Sequence, residues 1–109
     1  MKIICFGDSN TYGYDPRSWC GSRYDETSRW VALLAAKTGW MVFNMGQNGR
    51  EIPSTAPEFP ADTDLLIVML GTNDLLERHR PEEAAEKLER FLCGIFLERS
   101  KILLIAPPP

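Results

Sequence analysis

Met1–Asn10 reads MKIICFGDSN, and the reading of this stretch decides the architecture. Ile3-Ile4-Cys5-Phe6 is a short continuous apolar run rich in β-formers, and it stops at Gly7-Asp8-Ser9-Asn10. An unbroken apolar run closed by turn residues predicts a buried strand running into a tight turn. In open parallel α/β sheets, ligands bind in the crevice outside the carboxyl ends of the strands. Ser9 therefore stands where a nucleophile would be delivered. Glycine, aspartate and serine are also ordinary turn formers, so the tripeptide needs support from the rest of the chain.

That support begins with the order of elements. Thr11–Thr27 is a long polar loop carrying Tyr12, Tyr14, Trp19 and Tyr24, an aromatic content that suits a packed loop on the substrate side. Ser28 reads as an N-cap. Trp30, Val31, Leu33, Leu34 and Ala35 then share one helical side before Gly39 ends the helix. Trp40–Met45 reads as a second strand, breaking at Gly46-Gln47-Asn48-Gly49. Next comes a proline-rich stretch (Pro53, Pro57, Pro60), with room for only a short helix.

Asp64–Leu70 (DLLIVML) is apolar on both faces, as a central parallel strand covered by helices must be, and it too halts at a glycine-led turn, Gly71-Thr72-Asn73-Asp74. Pro81 opens a helix at its favoured first position, with Glu82 and Glu83 at the positive end of the dipole. Ala84, Leu88, Phe91, Leu92, Ile95 and Phe96 form its apolar stripe. Lys101–Ala106 (KILLIA) is a fourth strand ahead of Pro107-Pro108-Pro109. Strand, loop and helix repeat, which predicts a β-α-β pattern on a parallel sheet. No domain boundary is visible within residues 1–109.

Composition narrows the function classes. The 109 residues are 44% hydrophobic and 25% charged, an ordinary globular balance. A net charge of −3 without a basic run gives no electrostatic case for nucleic acid or a membrane surface. No apolar segment reaches the roughly 18 residues of a membrane span, and the apolar stretch after Lys2 is too short for a signal peptide. Cys5, Cys20 and Cys93 lack any Cys-x-x-Cys pairing, against both a disulfide framework and a zinc site. Cys5 and Cys93 read as small core residues. The expectation is a cytoplasmic enzyme for a small molecule, with no cofactor and no metal.

In a parallel sheet the first three turns lie on one edge. Acyl transfer through a serine needs a nucleophile and donors aimed at the oxyanion. Gly46 has no Cβ to block the approach of its backbone N–H, and Asn73 offers a neutral side-chain N–H₂. The Ser9 amide would be a third donor. Asn48 and Tyr12 are candidate substrate contacts, with a packing role for Tyr12 equally open. Asp8 also looks like a triad acid beside Ser9, but sequence neighbours on an extended turn point apart, so bracing the turn is the favoured role for it, as it is for Asp74.

Phe6-Gly7-Asp8-Ser9-Asn10-Thr11, Asn44-Met45-Gly46-Gln47-Asn48-Gly49 and Gly71-Thr72-Asn73-Asp74 resemble, in order and spacing, the first three blocks of the SGNH (GDSL-type) hydrolases. Tyr12-Gly13-Tyr14, Arg29-Trp30, Met69–Asp74 and Ala106–Pro109 resemble the arylesterase/acyltransferase branch. The resemblance implies a three-layer α/β/α sandwich on a flavodoxin-like parallel sheet with strand order 2-1-3-4. It makes Ser9 the nucleophile of a serine esterase acting on small carboxylic esters, with Gly46 and Asn73 as oxyanion donors.

The resemblance also implies a fourth block, Asp-x-x-His, after a fifth strand, and this sequence has no Asp-x-x-His. Residues 1–109 then read as a single SGNH-type domain lacking its C-terminal part. The sole histidine, His79, lies in the charged stretch Glu77-Arg78-His79-Arg80 and reads as a loop or helix-start residue rather than a base. Two other classes stay open: a binding module that keeps the pocket without turnover, and a nucleotide-binding sheet. The latter lacks both Gly-x-Gly-x-x-Gly and a P-loop. An unpaired edge on the fourth strand would favour a homo-oligomer or a partner segment.

Overall fold

The computed structural model describes residues 1–17, 22–77 and 79–106. Trp19, Cys20, Gly21 and the closing prolines therefore lie outside the described residues, as does Arg78.

Four strands form one parallel sheet: β1 (Lys2–Gly7), β2 (Met41–Gly46), β3 (Leu65–Met69) and β4 (Ile102–Leu104), in the order β2-β1-β3-β4. The expected order holds. β1 and β3 are central and buried along nearly their whole length, which is why they read as unbroken apolar runs. β2 is an edge strand with alternating exposure, its Met41 and Phe43 facing outward.

Helices cover both faces. On one side, α4 (Pro81–Cys93) places Ala84 and Phe91 against Ile4, Phe6, Leu66, Val68 and Leu70, joined by Ile52 and Ile95. The Phe6 ring stacks on Phe91 at 5.5 Å and meets Phe59 edge-on at 5.4 Å. On the other side, α2 (Trp30–Thr38) packs Val31 against Ile3, Cys5 and Ile67. Burial pushes the Cys5 thiol up to about 11, so it is a packed side chain rather than a reactive one.

Local detail departs from the sequence expectations in several places. The N-cap of α2 is Arg29, not Ser28, and no side chain caps that end. The proline-rich stretch holds no helix; with Pro53, Pro57 and Pro60 each lacking an N–H, it runs as bends and turns. α4 stops at Cys93, so the helical stripe does not continue: Ile95 is buried, yet Phe96 is 96% exposed. Cys93 is exposed beside the α4–β4 groove rather than in the core. The fourth strand is shortened to Ile102–Leu104 because a 3₁₀ turn occupies Arg99–Lys101.

Candidate active site

Strand register brings the three turns together. Gly7, the last residue of β1, is level with Gly46 on one side and Met69 on the other. The turns after β1, β2 and β3 therefore emerge at one edge. After β1 comes α1 (Ser9–Tyr12), a single helical turn where the sequence suggested only a tight turn. Asp8 is its N-cap: Oδ1 accepts from the Asn10 N–H at 3.0 Å, while its carbonyl accepts from Thr11 and Tyr12. Ser9 is thus the first helical residue, half-buried, with an amide that precedes the intrahelical hydrogen bonds. Its Oγ has no hydrogen-bond partner among the described residues.

Asp8 itself is wholly buried, and burial pushes its carboxyl above the usual range; the Asn10 hydrogen bonds oppose this and the Asp74 charge adds to it. Its hydrogen bonds are those of a helix cap.

Gly46 ends β2 and presses directly on α1. A Cβ there would overlap the Tyr12 amide nitrogen and lie 2.7 Å from the Thr11 carbonyl carbon, so only glycine permits this approach. Its own N–H donates to Asn44 Oδ1 at 2.8 Å, and Asn44 Nδ2 donates to the Thr11 carbonyl at 2.9 Å. Asn44 therefore ties β2 to the Ser9 helix and holds the Gly46 N–H. Sequence reasoning gave Asn44 no role. Its signal is an amide side chain inside a strand, opposite buried Cys5.

After β3, Gly71 takes φ 123°, a conformation that L side chains rarely adopt, and opens α3 (Thr72–Leu76). Asn73 is half-buried and donates one Nδ2–H to the Arg50 carbonyl at 3.0 Å, leaving its second N–H. Asp74 is fully buried; its Oδ2 accepts from Ile52 N–H at 3.0 Å and its Oδ1 from Lys87 Nζ at 2.7 Å. It braces α3 against both the loop after β2 and α4.

Asn48 sits exposed in the turn after β2. The Tyr12 ring carries the Arg23 guanidinium at 4.4 Å, and Arg23 Nε donates to the Tyr12 carbonyl at 2.8 Å, so Tyr12 has a packing role. Trp30 Nε1 donates to the Asn10 carbonyl at 3.0 Å, pinning α1 to α2. His79 lies between carboxylates, 2.9 Å from Glu51 Oε1 and 4.0 Å from Glu83 Oε2. It is engaged there and does not hydrogen-bond Ser9. Among the described residues, no cluster of three or more potential metal ligands occurs, and no helix is long and apolar enough to cross a membrane.

The arrangement supplies a serine hydroxyl, its amide and a carboxamide N–H at one sheet edge, with a second backbone amide held alongside. Such a constellation can polarise a carbonyl and present an oxygen nucleophile to it.

Comparison with known proteins agrees with this geometry. A model of the GDSL-like lipase/acylhydrolase family matches residues 5–109. No curated protein sequence matches. Among solved structures, the chain is similar to a putative arylesterase from Agrobacterium tumefaciens str. C58, at 28% identity and a TM-score of 0.77, over 99% of this chain and 64% of that one. AlinE4, an SGNH-hydrolase family esterase, is 31% identical with a TM-score of 0.69, over 99% and 60%. The M. smegmatis aryl esterase, at 24% identity and a TM-score of 0.77 over 99% and 64%, shares the fold. The chain spans less than two thirds of these neighbours' lengths.

Proposed function

Because the chain belongs to the GDSL-like lipase/acylhydrolase family, we propose that it is the nucleophile-bearing part of a serine esterase acting on small carboxylic esters. The observation that carries this reading is the level register of Gly7 with Gly46 and Met69, with Ser9 and Asn73 both following strands that end at this edge. In this reading Ser9 Oγ bonds to the ester carbonyl carbon. The developing oxyanion takes hydrogen bonds from the Ser9 amide, the free Asn73 N–H and the Gly46 N–H once Asn44 releases or shares it. The C–O bond then breaks, the alcohol leaves, and water or a second alcohol removes the acyl group from Ser9.

The proton of Ser9 needs a base, and His79 is committed to Glu51 and Glu83. Residues 1–109 alone are therefore slow. Serine hydrolases stripped of triad members still retain about 10³–10⁴ over the water rate through the oxyanion hole and binding. The test is p-nitrophenyl acetate hydrolysis by wild type and Ser9→Ala; equal rates remove Ser9 from the mechanism.

A second reading, an ester- or anion-binding module without turnover, is favoured by the engagement of the Gly46 N–H with Asn44. Fluorophosphonate separates the two. An adduct on Ser9 supports the esterase; a folded sample that stays unlabelled supports the module.

The reading extends to self-association. β4 leaves Leu103 47% and Leu104 44% exposed at an unpaired edge, and between β4 and α4 lies a groove of about 560 Å³ lined by Leu88, Leu92, Ile102 and Leu104. Open edges with apolar faces recruit a partner strand, here from a second copy.

A further inference from the structure

We propose that Arg50 is a positioning residue for this site: its guanidinium anchors the turn whose carbonyl sets the orientation of Asn73, and it ties that turn to β1, the strand that leads into Ser9. The inference rests on the serine-esterase reading and extends it to a residue outside the three strand-end motifs.

Arg50 closes the turn after β2. Its N–H donates to the Gln47 carbonyl at 3.2 Å, and Gln47 N–H donates to the Gly7 carbonyl at 3.1 Å, hanging the turn from the end of β1. The side chain folds back under the turn. Nη2 donates to Gln47 Oε1 at 3.0 Å, and the guanidinium carbon lies 4.1 Å from the centre of the Phe6 ring. Phe6 is itself fixed between Phe59 and Phe91. The guanidinium is thus held by β1 and by its own turn. Burial lowers the pKa of this guanidinium, and the Asp8 carboxylate, which caps the Ser9 helix, opposes that shift.

The consequence falls on Asn73. One of its two N–H groups donates to the carbonyl of this same residue 50. Where that carbonyl points decides where the other N–H points. A planar guanidinium can stack on Phe6 and donate sideways to Gln47 at once; an ammonium is a compact point charge and cannot do both. Arg50 is half-buried, and its Nε is out of contact with solvent and has no hydrogen-bond partner among the described residues, which is costly. A purely structural role would be filled as well by an apolar side chain on Phe6.

The experiment compares wild type with Arg50→Met, which keeps apolar contact with Phe6, and Arg50→Lys, which keeps the charge. Every variant retains the residue-50 carbonyl, so differences report the guanidinium. We expect both variants to melt within a few degrees of wild type. Fluorophosphonate labelling of Ser9 should fall about 10- to 100-fold in its chemical step with unchanged reagent affinity, the scale of a misplaced catalytic group. Arg50→Lys should recover only part of the loss. Labelling of both variants at the wild-type rate overturns the proposal.

A second readout does not depend on turnover. In amide NMR spectra the Asn73 side-chain N–H₂ should exchange with solvent at least about tenfold faster in Arg50→Met, while β1 and β3 amides keep their protection. Unchanged Asn73 signals overturn the role of Arg50 even if Ser9 reacts. Faster Asn73 exchange beside a Ser9 inert in wild type supports Arg50 and sinks the esterase reading instead. Should the variants not fold, the Arg50 δ-protons of wild type decide: ring-current displacement by Phe6 supports the anchor, and ordinary shifts overturn it.

Discussion

Lys87→Met should unlatch α3 from α4, and the cost can be worked from the contacts. Asp74 is 0% exposed and receives two hydrogen bonds, from Ile52 N–H at 3.0 Å and Lys87 Nζ at 2.7 Å. Methionine removes the ammonium and leaves a carboxylate in the interior with one donor. Breaking a buried ion pair from one side costs about 3–5 kcal/mol. The Lys87 side chain is 25% exposed, so water reaches its end of the pair and the expectation sits at the low end, about 3 kcal/mol. At roughly 4 °C per kcal/mol for a chain of this size, Tm drops by about 12 °C. Urea titration followed by circular dichroism measures the free-energy loss, and a thermal melt the Tm drop. Asp74→Asn/Lys87→Met completes a double-mutant cycle, with a coupling of about 1–3 kcal/mol expected. A Lys87→Met loss under about 0.5 kcal/mol, or strictly additive single effects, would refute the latch.

Three further outcomes are expected at the site and the sheet edges. Asp8→Asn keeps a capping oxygen and removes a charge held against burial. Since the folded carboxyl sits above its unfolded value, that charge destabilises once pH has risen through the folded value. The variant should therefore be more stable than wild type near pH 7, on the order of 1 kcal/mol, with the gap closing as pH falls below the folded value; thermal melts across pH that show a constant gap contradict this. Gly46→Ala should cost about 1–3 kcal/mol or more through overlap with the Tyr12 backbone, and should suppress Ser9 labelling; a stable, fully labelled variant would show that the approach is not needed. Leu104→Glu should shift the protein toward monomer in sedimentation velocity, and a wild type already monomeric at high concentration removes the edge-pairing idea.

The central strands were legible because β1 and β3 are buried on both faces, and a two-sided apolar run has few other readings; their order came only with the family resemblance. Ser9 and Asn73 were legible just past these strand ends for the same reason, and Gly46 as the glycine that breaks the second strand. The short helices α1 and α3 were not, since four or five residues carry no periodicity and depend on the Asp8 cap and on Gly71. Phe96 was misread because the helical pattern in sequence runs past the point where α4 ends. Arg50 and Asn44 left little trace. Their roles rest on backbone carbonyls and amides brought close from other segments, and no residue pattern encodes which carbonyl a side chain will meet.

The squeeze between Gly46 and Tyr12 has a consequence for motion. With no atom of clearance there, and with Asn44 bonded to Thr11, the Ser9 helix and the end of β2 are held together as one body. Asn73 hangs from that body by a single hydrogen bond to residue 50, while Asp74 moors the start of α3 to Ile52 and to α4. If the turns move relative to one another, the freer displacement is then a small swing of α3 against a fixed Ser9, along the β1–β3 seam rather than the β1–β2 one.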